Sequence, residues 1–500
     1  MDIKFSMAEF GFGHRRTNHI VIDSKGELWL TMAPTAVGGF LPMGMTAQPG
    51  TLRLEPIENG EAASFTYTAT EAELNLTTTA GAKLRCVIDT SVNALRINGS
   101  GAFRLNGVEP TPRATSIKSD EGVYLNIGAH CYFITAKKGT ISFDDTFELA
   151  KFSSVAPVID VAPENDEFEL LVYDLPADTA APAATKTFDE IAAENSADFN
   201  EFAAGLVTLP QEWDDVRIKI AYLLWLCRRV INGNEVTVKN KYNSAATGAN
   251  PMAIASMAFT DAKRAVDMLL AYPVELPPIA GVAAARLLTD NMLNDSRGEM
   301  YRVYSALEKI TRYCQQERTM DGDGLSYYAY RFESGTASPE FFKAGEPVLA
   351  PDLNTYLIIA SEVIGRLARF EYDDGIAQKW EKHARELTIR LIAELWNGED
   401  FVGKNAYTEK LSPPDAKLSL VPILLGGKLP QEIIKKLAAK IDSETFAGAP
   451  MLLLLGGLYD AGETEKATAL VTEQLEKARQ NGIDCPFYGA ELLAMAHKIL

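Results

Sequence analysis

Cysteine is scarce in this chain of 500 residues: Cys86, Cys131, Cys227, Cys314 and Cys485 are odd in number and widely separated. No CxxC pair occurs, which points to buried reduced thiols rather than a disulfide framework or a zinc site. Histidine is equally sparse, with five residues and none at metal-ligand spacing, so no metal is expected. Basic stretches with interleaved aromatics are missing, and the formal charge of −19 repels polyphosphates and anionic lipid. Nucleic acid and membrane are thereby excluded as expected partners. No apolar run is long enough to span a bilayer. The opening residues, MDIKFSMAEFGFGHRR, lack the apolar core and cleavage site of a secretory signal, so a cytoplasmic protein is expected. There is no P-loop, no G-x-S-x-G, and no G-x-G-x-x-G between a strand and a helix, and no cofactor is expected.

What is present divides near residue 190. Earlier runs such as Glu73-Leu74-Asn75-Leu76-Thr77 and Val123-Tyr124-Leu125-Asn126-Ile127 alternate apolar and polar residues, the period of half-buried antiparallel strands. Turn signals at Asn59-Gly60, Gly81, Asn98-Gly99, Asn106-Gly107 and Gly139 recur as in a β-sandwich. A Pro/Ala/Thr-rich stretch from Leu175 to Thr187 reads as an extended connection, and Phe188 to Leu206 as a linking helix.

Beyond Pro210 the period becomes helical. Helices are expected over Gln211–Val230, Pro251–Ala271, Pro277–Thr289, Glu299–Arg318, Pro351–Phe370 and Asp374–Trp396. Further ones are expected over Gln431–Lys440, Pro450–Ala461, Glu463–Gln480 and from Pro486 to the C-terminus. In Asp374–Trp396, Trp380, Ala384, Leu387, Leu391 and Leu395 form one apolar stripe, and Gly398 follows as a stop. Pro251, Pro277 and Pro351 occupy first-turn positions. Roughly ten to twelve helices is the number an (α/α)6 toroid of helical hairpins requires. The expected fold class is therefore multi-domain β + α: a sandwich over 1–187, a linker helix over 188–209 and an (α/α)6 toroid over 210–500.

The long segment from Met320 to Leu357 contains Asp323-Gly324-Leu325, Tyr327-Tyr328, Ser334-Gly335, Ser338-Pro339, Phe341 and Pro351-Asp352-Leu353-Asn354. This frame resembles the active-site segment of the six-hairpin glycosidases, in particular the family 63 glycoside hydrolases and their bacterial relatives. The resemblance extends over most of 210–500, through Tyr242-Asn243-Ser244-Ala245, Leu276-Pro277-Pro278, Glu394-Leu395-Trp396-Asn397 and Phe446-Ala447-Gly448-Ala449-Pro450. It implies a glucosyl-type carbohydrate as ligand. It also marks departures: Thr336-Ala337 stand where the family has Trp-Asp, whose Asp is the general acid. Asn243 replaces an Asp that holds sugar hydroxyls, and no Glu precedes the last helix, where Asp484 is the nearest acid.

Glycoside hydrolysis uses two carboxyl groups, one protonating the leaving oxygen and one activating water or attacking directly. The candidates for substitute acid are Glu340 and Glu333, and for the base Asp484. Alternatively these are solvated loop acids, with Asp484 capping a helix. Tyr242, Asn243, Tyr327, Tyr328, Tyr330, Asp352 and Asn354 are the candidate sugar contacts. The tyrosines form either a wall for a sugar face or part of the core, and Asp352 either meets ligand or serves the helix start. Three functions compete: a glycoside hydrolase with an atypical acid/base pair, a non-catalytic carbohydrate-binding or regulatory protein, and a sugar epimerase or isomerase. The sequence leaves the oligomeric state open.

Overall fold

The computed structural model describes residues 4–31, 52–107, 114–127, 130–150, 153–176, 179–231, 234–237, 278–289, 297–320, 324–334, 340–370, 373–446, 449–483 and 485–500. The chain divides into two units. The first takes in Met1–Ala204, Ile218–Thr247 and Gly482–Pro486, and the second Gly205–Arg217, Gly248–Asn481 and Phe487–Leu500.

Alternation along the N-terminal strands is what makes two sheets share one core. In Glu73–Thr78 the buried residues are Leu74, Leu76 and Thr78, and in Leu52–Glu58 they are Leu52, Leu54 and Pro56. One sheet runs in the order Phe12–Gly13, Ile20–Ser24, Glu27–Thr31, Leu52–Glu58, Ala102–Gly107, Ser153–Ala162 and Thr140–Glu148, with Glu61–Ala62 paired to Leu52–Glu58. The other runs Ala114–Lys118, Val123–Ile127, His130–Lys138, Glu167–Leu175, Ala94–Ser100, Lys83–Asp89, Glu73–Thr78 and Phe65–Ala69. The pairings among these strands are antiparallel. Val21, Leu30, Phe103 and Ile159 from the first sheet meet Leu74, Ile97, Ile134 and Phe168 from the second in a single cluster. Each such side chain contributes about 1.5–3 kcal/mol by leaving water.

Helix α1, Phe188–Ala204, packs Phe188 and Ile191 on Val87, and its Asn195 donates to the Ile88 carbonyl at 3.0 Å. Helix α2, Asp214–Leu226, follows a short 3-10 turn, Gln211–Trp213. Its Tyr222 donates to the Gly11 carbonyl at 3.0 Å. The helix expected to reach Val230 stops at Leu226, and Arg228–Ile231 pairs as a strand with Asn234–Thr237. The β-branched Val230 and Ile231 suit that extended backbone better than a last helical turn.

In the second unit the described helices are α3 (Ala280–Thr289), α4 (Arg297–Glu317), α5 (Pro351–Phe370), α6 (Asp374–Leu395), α7 (Gln431–Lys440), α8 (Ala449–Asp460), α9 (Thr464–Asn481) and α10 (Pro486–Ile499). The expected helix over Pro251–Ala271 lies outside the described residues. One core is built by Ala280, Ala283 and Ala284 of α3, Val303, Leu307 and Ile310 of α4, Val363, Ile364 and Leu367 of α5, and Trp380 of α6. A side chain at Gly281 would stand 2.8 Å from the Ala360 backbone, so glycine is what lets α3 and α5 approach. Asp373 caps α6 by accepting from the Ile376 N–H at 2.9 Å. A 3-10 segment that periodicity does not reveal, Leu418–Lys428, packs on α5 and α8. Among the described residues no helix is long and apolar enough to cross a membrane, and no group of residues has the make-up of a metal site.

Candidate functional site

Helix α5 is the axis of the candidate site, because its first turn receives the long loop that precedes it. Pro351 opens the helix where a missing N–H costs nothing. Asn354 then clamps the loop in both directions. Its Oδ1 accepts from the Ser326 N–H at 2.8 Å, while its Nδ2 donates to the carbonyls of Ser326 at 2.9 Å and Ala350 at 2.8 Å. The amide, expected to meet a ligand, is wholly buried and turned to the backbone.

The loop then forms a small antiparallel sheet of Tyr327–Tyr328, Val348–Leu349 and Lys404–Asn405. Tyr328 is buried beside Phe341, Val348 and Leu353, and its hydroxyl donates to Asp352 Oδ2 at 2.9 Å. Tyr327 is half-buried, with its hydroxyl 3.3 Å from the Glu317 carbonyl it donates to. Of the three expected wall tyrosines, only Tyr330 is exposed. Phe332, which sequence reasoning passed over, is exposed beside it and stacks on its ring.

Asp352 is buried, and its Oδ1 has no hydrogen-bond partner among the described residues. Burial pushes its carboxyl up to about 7; the bond from Tyr328 and the nearby N–H groups of Leu353 and Asp352 itself oppose the rise, and the charge of Asp415 adds to it. Asp415 is a second residue missed from the sequence. It accepts from the N–H groups of Lys417 and Leu418, each at 2.9 Å, where the chain enters the Leu418–Lys428 segment. The signal was legible, since an acid three residues ahead of an apolar run is a helix start.

Glu333 lies on a 3-10 turn, Arg331–Ser334, and is buried. Its Oε1 takes the Arg318 guanidinium at 2.9 Å, and its Oε2 the N–H groups of Ala329 at 2.6 Å and Tyr330 at 3.4 Å. The carboxylate is committed to holding its own loop. Glu340 differs: its side chain is 35% exposed and paired with Lys343 at 2.7 Å. The next residue, Phe341, is wholly buried and anchors the segment, and the Ser412 hydroxyl donates to its carbonyl at 2.5 Å. Tyr242, Asn243 and Asp484 lie outside the described residues.

One loop pinned to α5 thus carries a part-exposed acid paired with a lysine and an exposed aromatic pair, and its Tyr328 binds a buried acid in the first turn of that helix. Residues 242–453 match the model of the mannosylglycerate hydrolase MGH1-like glycoside hydrolase domain. A bacterial glucoamylase complexed with acarbose superposes over 100% of this chain and 95% of its own, at 10% identity and a TM-score of 0.60. A family GH92 α-mannosidase from Bacteroides thetaiotaomicron, in complex with mannoimidazole, covers 98% of this chain and 82% of its own at 9% identity and a TM-score of 0.58. The inverting GH92 mannosidase of Bacteroides thetaiotaomicron VPI-5482 covers 90% and 72% at 9% identity and a TM-score of 0.51. No curated protein sequence matches the chain. At such identities structural likeness speaks for fold alone. The chain has the six-hairpin glycosidase fold, antiparallel sheets followed by a glucoamylase-type helical toroid, and carries across residues 242–453 the sequence pattern of an MGH1-like glycoside hydrolase domain.

Proposed function

We propose that the protein acts on a small neutral carbohydrate of glucosyl type through the loops of its helical toroid, as a glycoside hydrolase with an atypical acid/base pair. The observation that carries this reading is the match of residues 242–453 to a glycoside hydrolase domain, with the loop ahead of α5 built on a clamped frame. The net charge of −19 suits an uncharged ligand. In this reading Glu340, the described candidate whose carboxyl is open, gives a proton to the glycosidic oxygen, and Asp484 activates water. Lys343 must swing off Glu340 before that carboxyl presents a proton. Glu333 holds the loop instead of the substrate.

A second reading, a carbohydrate-binding protein without hydrolysis, is favoured by Ala337 standing where the family's acid belongs and by the commitment of Glu333 to Arg318. Assaying aryl α-glucosides beside natural disaccharides, with calorimetry on glucose, separates the two. The expected result is sugar binding with brisk hydrolysis of the aryl glycosides, whose good leaving group needs little protonation, and slow hydrolysis of the disaccharides. Binding without turnover of either substrate selects the second reading. Absence of both binding and turnover rejects the carbohydrate assignment.

A further inference from the structure

We infer that Tyr330 and Phe332 form a stacking platform for a second pyranose ring, so that the site takes a disaccharide or longer glycoside in preference to a free monosaccharide. The inference rests on the carbohydrate reading above and adds a subsite to it. The two rings stack with centroids 5.5 Å apart and planes within 7°, and the residues are 54% and 68% exposed. Leaving two aromatic rings in water forfeits the stabilisation their burial would bring.

The loop is built to hold them there. Phe332 sits on the short turn Arg331–Ser334, where the Ser334 hydroxyl donates to the Arg331 carbonyl at 2.8 Å. Glu333, between Phe332 and Ser334, is buried and binds the N–H groups of Ala329 and Tyr330 together with Arg318. From the other side, the Arg331 N–H donates to Glu346 Oε1 at 2.9 Å. The chain turns over within this segment: Tyr330, Arg331 and Phe332 stay out, and Glu333 and Ser334 go in. Such rigidity lowers the ordering cost that binding otherwise carries.

The rim fits a sugar. A pyranose offers an apolar C–H face for stacking and hydroxyls around its edge. The Arg331 side chain is 72% exposed, and its Nε stands 3.8 Å from Glu346 Oε1, beyond hydrogen-bond range. The pair therefore retains donors and an acceptor for hydroxyls beside the aromatic face. A nucleic acid is disfavoured as occupant, because the chain carries −19 and the exposed Arg331 beside the rings faces the carboxylate of Glu346.

The test is calorimetric titration of the full-length protein with glucose and with maltose, in the native form and in Tyr330→Ala, Phe332→Ala and Tyr330→Phe. The native protein should bind maltose more tightly than glucose. Each alanine variant should weaken maltose roughly three- to tenfold while leaving glucose unchanged, and Tyr330→Phe, which keeps the ring, should retain most of the affinity. Unaltered melting temperatures show that the variants fold. Equal losses for both sugars, or no loss for maltose, overturn the platform while leaving the carbohydrate reading intact. Binding of neither sugar by the native protein overturns both. A native dimer that dissociates in the alanine variants, with sugar affinity unaffected, assigns the rings to a second copy and likewise overturns the platform.

Discussion

Arg286 of α3 and Glu491 of α10, separated by 205 positions, meet in a two-pronged ion pair, one prong measuring 2.9 Å. Glu491 is wholly buried and the Arg286 side chain is 11% exposed. Bidentate geometry of this kind is the arrangement that offsets the cost of taking two charges out of water. The first described helix of the second unit is thereby fastened to its last.

Removing one partner should hurt far more than removing both. Arg286→Met leaves a buried carboxylate without its counter-charge and should cost about 3–5 kcal/mol. The double variant Arg286→Met, Glu491→Leu should recover most of that loss. Denaturant unfolding followed by circular dichroism measures both. A single variant that costs under about 1 kcal/mol would contradict the buried pairing.

Asp352 should make stability fall as pH rises. Its folded pKa of about 7 stands above the 3.8 of an ordinary aspartate, because burial disfavours the charged form. Between those two values the unfolded chain has released the proton and the folded chain retains it. Stability therefore declines from about pH 4 upward and levels off above about pH 7, by an amount on the order of a few kcal/mol. Asp352→Asn lacks this titration. Its melting temperature relative to the native protein should rise between pH 4 and 7 and then hold steady; a constant difference across that range would disprove the assignment.

Glu333 should matter for order in its loop. Glu333→Ala leaves Arg318 and the N–H groups of Ala329 and Tyr330 without their acceptor, at a cost of about 1–3 kcal/mol. Limited proteolysis should cut the variant within residues 324–340 faster than the native chain. Equal cleavage rates would show that the turn stands without its carboxylate.

If Glu340 supplies the proton, Glu340→Gln should slow hydrolysis of a disaccharide by about 10²–10⁴-fold and of an aryl glucoside much less. Steady-state kinetics on the two substrates gives the comparison. Equal losses on both would mean that Glu340 binds or positions rather than protonates.

Much of the fold could be read from periodicity, because burial of one face leaves a period in the sequence. The stripe of Trp380, Ala384, Leu387, Leu391 and Leu395 marked α6, and α5 begins and ends at the expected Pro351 and Phe370. Segments buried on all sides leave no such trace. Leu418-Ser419-Leu420-Val421-Pro422-Ile423-Leu424-Leu425 is apolar nearly throughout and interrupted by a proline, and its 3-10 form was not foreseen. The strand at Arg228–Ile231 was missed although Asn232-Gly233, a strong hairpin signal, follows it. In the candidate site the residue types were visible but their partners were not. Glu333 pairs with Arg318, 15 positions back, and Tyr328 with Asp352, 24 positions on. Such separations follow no local spacing rule; they depend on how the loop folds back over α5.

The Asn354 amide treats Ser326 as a neighbouring strand would, accepting from its N–H and donating to its carbonyl. This makes one peptide unit of the loop a reporter on a helix 28 residues away. The Ser326 amide proton reaches solvent only when the first turn of α5 lets go, so its exchange with deuterium should be as slow as that of the buried helix start. Asn354→Asp keeps an acceptor for that proton but loses both donors to the carbonyls. Exchange at Ser326 should then accelerate out of step with the rest of α5, showing loop and helix to be one cooperative block in the native chain and two in the variant.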